Sequence, residues 1–316
     1  APNSYDKFMN ILLTGFYGEG NLGDETILRA IILNLPPFVS PIITSGKTKP
    51  ALSDDRCPRY IRRRGVFSWS PFLCNALKSK KAIFSGGILQ DWSADGVLFF
   101  ASRIFAAAAL KCAPSIWGAG IGPLRSKAAQ IIVAKALKYT EKVWLRDEAS
   151  ATLYKDLTNR TPEIGTDWSW HFNSPTKPQT IIDGLTAINL RPWKHNISEL
   201  EALKTTQFAQ NTKFLGMPAR KEDIKPIKAL FPTAEIIQPA TFEDYMTQCA
   251  VAENGIAMRY HAALAMLRAG TNLKLVPYDT KVEELKKAIV NKQNYIATNE
   301  KRFEQMREAF KKEFVC

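Results

Sequence analysis

Arg259 and His261 stand where an apolar run gives way to a helical pattern, and their types suit proton transfer beside a negative charge. The segment GIAMRYHAALAMLRAG predicts a strand that ends at Met258 and a helix that begins near His261. A histidine at such a turn is a candidate general acid or base, and the helix N-terminus adds partial positive charge. A histidine that only packs is the competing interpretation. The chain has three histidines, and the position of this one favours the catalytic role.

Further cations are predicted at the ends of other strands. Arg146 follows KVWL, Arg191 follows LTAINL, and Lys281 follows LVPYDT. Ligands of open α/β sheets gather at the carboxyl ends of the strands. With Arg259, these side chains predict a pocket for a compact anion of two or three charges around the histidine. For Arg146, an ion pair with the adjacent Asp147 is an equally weighted alternative.

A glycine-rich turn, GFYGEGNLGDETIL, follows the first predicted strand and satisfies G-x-G-x-x-G. Two observations argue against a dinucleotide there. Glu19 and Asp24 would put carboxylates beside the pyrophosphate, and the next strand region, PIITSGK, has no acidic residue for a ribose. Two interpretations stay open: a tight turn with Asp24 as the N-cap of a helix beginning at Asp24 or Glu25, or a site where Asn21 and Asp24 bind sugar hydroxyls.

Two more turns carry candidate acceptor-binding groups. SGGILQDWS places Gln90 and Asp91 just after a strand, where they would either grip a sugar or cap a helix. WGAGIGPL leaves the backbone bare at Gly120 and Gly122, which would let a ligand approach closely.

Several function classes are excluded by composition and spacing. The net charge is +13 and the pI about 9.5, but the Lys and Arg residues are spread along the chain and no nucleic-acid-binding motif accompanies them. The charge instead suits an acidic substrate or an anionic membrane surface. Five widely spaced cysteines without a C-x-x-C pair argue against structural zinc and for a reduced compartment. No Ser-His-Asp, Walker or metal-ligand spacing is present.

The elements that position these residues alternate as strand and helix through the whole chain, which predicts an α/β fold of two doubly wound domains. In the first half, strands are predicted at residues 10–14, 82–85, 115–117 and 142–145, and helices at 25–35, 95–110, 127–138 and 147–157. In the second half, strands are predicted at 185–190, 213–215, 235–237, 255–258 and 273–276, and helices at 221–230, 242–249, 261–269 and 282–290.

The predicted domain boundaries follow from this rhythm. The segment NSPTKPQ at 173–179 resists both helix and strand and predicts a linker. The domains are therefore placed at 1–174, as the acceptor side, and 175–298, as the donor side. A helix in 299–316 has Phe303, Met306 and Phe310 on one face and is expected to pack across the domains. No signal peptide is expected, and the apolar stretch 97–113 carries Arg103 and Lys111, which predicts a buried helix.

Taken together, the motifs resemble the polysaccharide pyruvyl transferase family, especially bacterial enzymes that modify cell-wall polysaccharides. The matching segments are GEGNLGDETIL at 18–28, GGILQD at 86–91, GIGPL at 120–124, RDEAS at 146–150, MRYHA at 258–262 and YDTKV at 278–282. Each is weak alone, but their order and spacing are specific.

The resemblance implies a GT-B-like fold, with two Rossmann-like domains facing across a cleft, and phosphoenolpyruvate as donor, without a cofactor. It implies a pyruvate ketal on two hydroxyls of a sugar, often N-acetylmannosamine and often lipid-linked, with release of phosphate. The family's proton donor falls on His261, and its anion-binding residues on Arg146, Arg259 and Lys281. Asp24, Asp91 and Asp167 are candidates to position the hydroxyls or act as base. A cytoplasmic enzyme at the inner membrane face is expected.

Three positions depart from the family pattern: Tyr260 replaces the usual Leu, Ala119 a frequent Gln, and Thr280 a common Pro. None of these departures removes a charged side chain. They therefore affect the prediction of the substrate more than the prediction of the reaction class. Two alternatives stay open. The first is a glycosyltransferase of the same architecture, with the cations on the diphosphate of a nucleotide sugar. The second is a noncatalytic module that binds anionic polymers.

Overall fold

A computed structural model describes residues 9–47, 58–91, 94–176, 180–192 and 213–315 of the chain. Its elements form two compact α/β units, one of Ala1–Glu19, Ile27–Trp170 and Asn299–Cys316, the other of Gly20–Thr26 and His171–Thr298. The short segment Gly20–Thr26, which the predicted boundaries place in the first domain, therefore belongs with the second unit. The predicted linker lies partly at 177–179, outside the described residues.

The first unit is built on a parallel sheet in the order β3-β2-β1-β4-β6-β7-β8, with β5 paired to β6. Its strands are β1 (Met9–Thr14), β2 (Val39–Ser45), β3 (Arg59–Arg62), β4 (Lys81–Phe84), β5 (Gly87–Ile88), β6 (Ala113–Ile121), β7 (Val143–Leu145) and β8 (Glu163–Ile164). The central strands are fully buried apolar runs, as expected for a parallel sheet covered on both faces.

Five helices accompany this sheet: α1 (Leu22–Asn34), α2 (Trp69–Ala76), α3 (Ala94–Ala109), α4 (Lys127–Leu137) and α5 (Glu148–Thr158). Side chains of α2 to α5 pack with the strands into one core. The Asp147 side chain caps α5 by accepting the Ser150 N–H at 2.7 Å, as the sequence predicts. α1 begins at Leu22, which corrects the prediction of Asp24 as an N-cap.

The second unit has a five-stranded parallel sheet in the order β11-β10-β9-β12-β13. Its strands are β9 (Ile182–Asn189), β10 (Lys213–Gly216), β11 (Glu235–Ile236), β12 (Ala252–Ala257) and β13 (Asn272–Leu275). Its helices are α6 (Ile224–Leu230), α7 (Phe242–Ala250), α8 (Tyr260–Ala269) and α9 (Thr280–Ala288). In chain order within this unit the sheet reads 3-2-1-4-5, the arrangement of a Rossmann-like domain. The predicted α/β fold class is confirmed.

The last helix, α10 (Lys292–Lys312), packs on the first unit. Phe303 and Phe310 make edge contacts with the Trp168 ring, and Phe310 also contacts Trp117, 5.1 Å between ring centroids. The apolar face that the sequence predicts for this helix is therefore buried. Within the part of the chain that the structure describes, no helix is both long and apolar enough to cross a membrane.

Candidate active site

The second sheet reverses its strand order between β9 and β12, which lie next to each other although β9 opens the unit and β12 comes fourth. Such a switch point leaves a crevice at the carboxyl ends of the two strands, where ligands of open α/β sheets bind. Asn189 ends β9 and Arg191 follows it, and Arg259 lies just beyond β12. The sequence-predicted cations Arg191 and Arg259 are thus placed on the two strands that flank this crevice.

Arg259 is buried and forms a two-point ion pair with Asp223. Its Nε donates to one carboxylate oxygen at 2.7 Å, and its Nη2 donates to the other at 2.6 Å. Glu222 adds a contact to Nη2 at 3.1 Å. Burial alone would lower the pKa of Arg259, but the hydrogen bonds and the charge of Asp223 outweigh burial and raise that pKa. Arg259 is therefore a fixed cation whose orientation Asp223 sets.

Asp223 is itself held rigidly. It has no exposed surface, and its Oδ2 accepts the backbone N–H groups of Ala219 and Arg220, each at 3.1 Å. These groups lie between β10 and α6. These backbone donors, together with the Arg259 guanidinium, fix the orientation of the carboxylate.

The Asn189 side chain links the ends of three strands next to Arg259. Its side-chain oxygen accepts the backbone N–H of Arg259 at 3.0 Å, and its amide donates to the carbonyl of Met217 at 2.9 Å. The buried Tyr245 hydroxyl donates to the same carbonyl at 2.6 Å. The ends of β9, β10 and β12 are therefore cross-linked, which pre-organises the position of Arg259.

Tyr278, after β13, joins the other predicted cation to this network. The Arg191 guanidinium lies 4.1 Å from the centre of the Tyr278 ring, and a hydrogen bond links the two side chains. Burial and the nearby Asp279 raise the pKa of Tyr278, while Arg191 and Arg259 act against the rise. Two cations therefore act on one half-buried phenol at the carboxyl edge of the sheet.

His261 lies in the first turn of α8 and packs against the first turn of α1. A Cβ added to Gly23 would overlap the imidazole at Nδ1 and would lie 2.7 Å from its Cε1. Beside it, the Leu22 N–H donates to the Ala219 carbonyl at 3.1 Å. Because Gly23 has no side chain, the imidazole can occupy this position, and the glycine-rich turn forms one side of the histidine site.

Three further candidates in this unit, Asn21, Asp24 and Lys281, lie at or in the first turns of helices. The Asn21 side chain donates to the Asp24 carboxylate, and the Asn21 carbonyl accepts the Glu25 N–H at 3.0 Å, so Asn21 precedes the helix and Asp24 lies in its first turn. The half-buried Lys281 lies in the first turn of α9, where Asp279 is the N-cap and accepts the Val282 N–H at 3.0 Å.

The remaining cation, Arg146, belongs to the first unit and is buried between carboxylates. Its Nε lies 3.2 Å from Asp147 and its Nη1 lies 3.3 Å from Asp167. Asp167 has no exposed surface and also accepts the Ser169 N–H. A Cβ on Gly120 would meet the Arg146 Nε at 2.6 Å. The space beside this glycine is filled by the guanidinium, which corrects its interpretation as bare backbone for a ligand.

The last predicted acceptor residues support a loop of the first unit. The Asp91 carboxylate accepts the backbone N–H groups of Arg125 and Ser126, and the half-buried Gln90 precedes it. Gly122 has a positive φ of 76°, and a Cβ there would overlap Leu153 at 2.6 Å. In the described part of the chain, no group of three or more His, Cys, Asp or Glu residues could hold a metal ion.

Comparison with protein families gives a match over most of the chain. The sequence model of the polysaccharide pyruvyl transferase family matches residues 21–291, which include every site residue described above. The chain belongs to the polysaccharide pyruvyl transferase family. It is therefore a transferase, and family membership implies a polysaccharide acceptor. A comparison with curated proteins finds no match.

Solved structures share the fold of this pyruvyl transferase at low sequence identity. S. aureus MnaA with UDP has a TM-score of 0.55 and 12% identity, covering 95% of this chain and 91% of that chain. A putative UDP-N-acetylglucosamine 2-epimerase from Listeria monocytogenes has a TM-score of 0.54 and 10% sequence identity, and the match covers 96% of this chain and 91% of that chain. The Methanocaldococcus jannaschii UDP-GlcNAc 2-epimerase with UDP-GlcNAc and UDP has a TM-score of 0.53 and 13% sequence identity, and the match covers 95% of this chain and 99% of that chain.

Asp223 and Asn189 are the site residues of this transferase that sequence reasoning missed. A signal for Asp223 exists in hindsight: a strand-end arginine that becomes buried needs a carboxylate partner, and the KED segment after β10 supplies one. For Asn189 the signal is an amide at the end of the apolar run LTAIN, where a polar side chain must find buried partners.

We expect Asp223→Asn to lower the free energy of unfolding by about 2 kcal/mol, because it leaves the buried Arg259 charge without its counter-ion. Glu222→Gln is the matched control, since the Glu222 side chain is 54% exposed, and it should cost less than about 1 kcal/mol. Urea unfolding followed by circular dichroism measures both. Equal losses in the two variants would mean that Arg259 does not depend on Asp223.

Proposed function

We propose that the enzyme transfers the enolpyruvyl group of phosphoenolpyruvate to two hydroxyls of one polysaccharide sugar, forming a pyruvate ketal and releasing phosphate. The observation that carries the proposal is the pair Arg259 and His261 at the switch point of the second sheet. Phosphoenolpyruvate has a carboxylate and a phosphate on one carbon, so it requires several fixed cations beside a proton donor. Arg191, Arg259 and Lys281 follow strands of one parallel sheet and meet that requirement.

In the proposed reaction, the His261 imidazolium gives its proton to the methylene carbon of phosphoenolpyruvate. The carbon that bears the phosphate becomes oxocarbenium-like, and the first sugar hydroxyl adds to it and loses its proton. The bond from that carbon to the phosphate oxygen then breaks. The second hydroxyl adds and loses its proton, one of the two released protons returns to the histidine, and the other leaves with hydrogen phosphate.

The fixed cations supply the electrostatic part of this chemistry. Arg259 is held by Asp223 before any ligand arrives, so little reorganisation accompanies the growth of negative charge on the departing phosphate. Arg191 is held on the Tyr278 ring. We assign Arg259, Arg191 and Lys281, which all belong to the second unit, to the anionic groups of the donor.

For the acceptor, we propose a sugar of the N-acetylmannosamine type carried on a lipid. Asn21 and Asp24 share a unit with His261, and their adjacent polar side chains suit a pair of sugar hydroxyls. Gln90, Asp91 and Asp167 are the corresponding candidates in the first unit. An enzyme with a lipid-linked acceptor would work in the cytoplasm at the inner face of the membrane.

Incubation with phosphoenolpyruvate and a synthetic lipid-linked N-acetylmannosaminide tests the proposal. We expect phosphate release, and an acceptor that gains the mass of pyruvate less one water. In D₂O the ketal methyl group should carry one deuterium, because the proton on that carbon comes from solvent through the histidine. A product methyl without deuterium would exclude the protonation step.

A nucleotide sugar is the competing donor, because the solved structures that share this fold are UDP complexes or UDP-GlcNAc 2-epimerases. Ligands that bind the folded state raise the melting temperature. We expect phosphoenolpyruvate to raise it and UDP-GlcNAc to leave it unchanged. The reverse result, with glycosyl transfer and no phosphate release, would replace this proposal with a glycosyltransferase.

A further inference from the structure

Four apolar side chains within residues 66–77 of the first unit are exposed to solvent. We call these four side chains the outer apolar surface. Their exposed fractions are 85% for Val66, 80% for Phe67, 67% for Leu77 and 37% for Leu73. In the described residues, thirteen large hydrophobic side chains are exposed, and these four fall within one short stretch. The others are scattered through both units, so this concentration requires an explanation.

The opposite side of the same segment is firmly packed. Phe72 and Ala76 of α2 are buried in the core of the first unit. The buried Arg103 guanidinium lies 4.8 Å from the centre of the Trp69 ring and donates to the Ser68 Oγ at 3.1 Å. The outer apolar surface is therefore presented by an anchored segment: Val66 and Phe67 lie in the turn before α2, Leu73 lies in α2, and Leu77 follows it.

The charges within the segment that carries this surface are of one sign, and Glu19, from outside the segment, contacts Arg63 at 3.0 Å and Arg64 at 4.0 Å. From Pro58 to Gln90 the chain has seven Lys and Arg residues and no Asp or Glu. Arg62, Arg64, Lys78 and Lys80 are exposed, whereas Arg63 is buried and pairs with Glu19 at 3.0 Å. The exposed apolar side chains are thus flanked on both sides in the sequence by solvent-facing cations.

We propose that the outer apolar surface docks on an anionic lipid bilayer. Val66, Phe67, Leu73 and Leu77 enter the boundary between headgroups and acyl chains, and Arg62, Arg64 and Lys78 contact lipid phosphates. An apolar face rimmed by Lys and Arg is the pattern of segments that lie in a membrane interface, and each cation near an anionic leaflet adds attraction. The inference does not depend on the proposed donor, since docking requires no turnover.

Charge distinguishes the bilayer from the other natural occupant, a second copy of the chain. In a two-fold symmetric dimer the same patch meets itself, so the cations around this surface would face cations. An anionic bilayer provides both an apolar interior and a complementary charge.

Flotation of the full-length chain with lipid vesicles tests the proposal. We expect binding to vesicles of mixed phosphatidylglycerol and phosphatidylcholine, weakened by salt, and little binding to phosphatidylcholine alone. The double variant Phe67→Ser/Leu77→Ser should bind about tenfold more weakly or worse, because it removes two apolar side chains from the contact. Arg62→Ser/Arg64→Ser should lose roughly fivefold per cation.

Phe38→Ser is the matched control. Phe38 is 45% exposed in the same unit, and its sequence neighbours from Leu33 to Ser40 carry no charge, so this variant should bind vesicles like the unmodified chain. The arginine variant serves as a second probe should the apolar variant fold poorly. The proposal is overturned if the unmodified chain does not float with anionic vesicles, or if both double variants bind as it does. It is also overturned if light scattering shows a dimer that the apolar variant abolishes, without vesicle binding.

Discussion

Replacing His261 with Ala lowers the rate of phosphate release from phosphoenolpyruvate and acceptor by about 10²–10⁴-fold, the range that loss of a general acid produces. The ring is half-buried on α8, against Gly23, so its removal leaves the sheet and the Arg259 network in place. The variant should therefore keep its melting temperature and still bind phosphoenolpyruvate. A coupled phosphate assay and a thermal-shift titration measure the two effects separately.

His171→Ala is the control for the histidine prediction. His171 is also half-buried in the second unit, and its ring packs at an edge against Phe172. This variant should turn over normally. Added imidazole should restore part of the activity of His261→Ala, since a small base can enter the space and carry the proton. Full activity in His261→Ala would remove this residue from the mechanism.

The turn that carries this histidine could be predicted from sequence because its signals are local. The apolar run before Met258 and the helical spacing after it define the bounds of β12 to within three residues and those of α8 to within one. The resemblance of the motifs to the family then indicates Arg259 and His261 as the candidate pair. Nothing beyond the neighbouring residues is needed to place a strand end before a helix start.

The partners of these residues could not be predicted, because they come from distant parts of the chain. Asp223 follows β10 and Arg259 follows β12, and both strands are neighbours of β9. Strand order is a property of the whole sheet, and local periodicity does not encode it. The same limit applies to Gly120, where the sequence shows a missing side chain but not that the Arg146 guanidinium fills the space.

Among the elements of the first unit that were not predicted, β3 and α2 were missed for a different reason. β3 is a four-residue edge strand with arginines at both ends, a composition that resembles a loop. α2 has only eight residues, and its sequence WSPFLCNA contains no charged residue to mark a solvent-facing side. The same stretch without charged residues, at 65–77, carries the apolar side chains from which membrane docking is inferred.

Gly23→Ala should lower the rate of pyruvyl transfer by about 10²-fold while leaving the protein folded. The added Cβ would occupy the position of the His261 ring, and the ring, which is a side chain on two rotatable bonds, would move instead of the backbone. A displacement of about 1 Å in a catalytic group is enough for such a loss. Alanine favours a helix over glycine by up to about 1 kcal/mol, which offsets the strain of moving the ring.

The expected loss of activity without a loss of stability makes Gly23→Ala informative. If Gly23 were only structural, the alanine variant would lose turnover and stability together. If Gly23 positions the imidazole, the variant should lose turnover and keep its stability. Gly165→Ala provides the comparison, because its Cβ would meet the Met306 sulfur at 2.7 Å in the first unit and should alter stability without a specific loss of rate. In a double-mutant cycle on melting temperature, Gly23→Ala should be more stabilising in the His261→Ala background, where the ring is absent. Additive effects would show that Gly23 and His261 do not interact, and the role of the glycine-rich turn in holding the proton donor would then be lost.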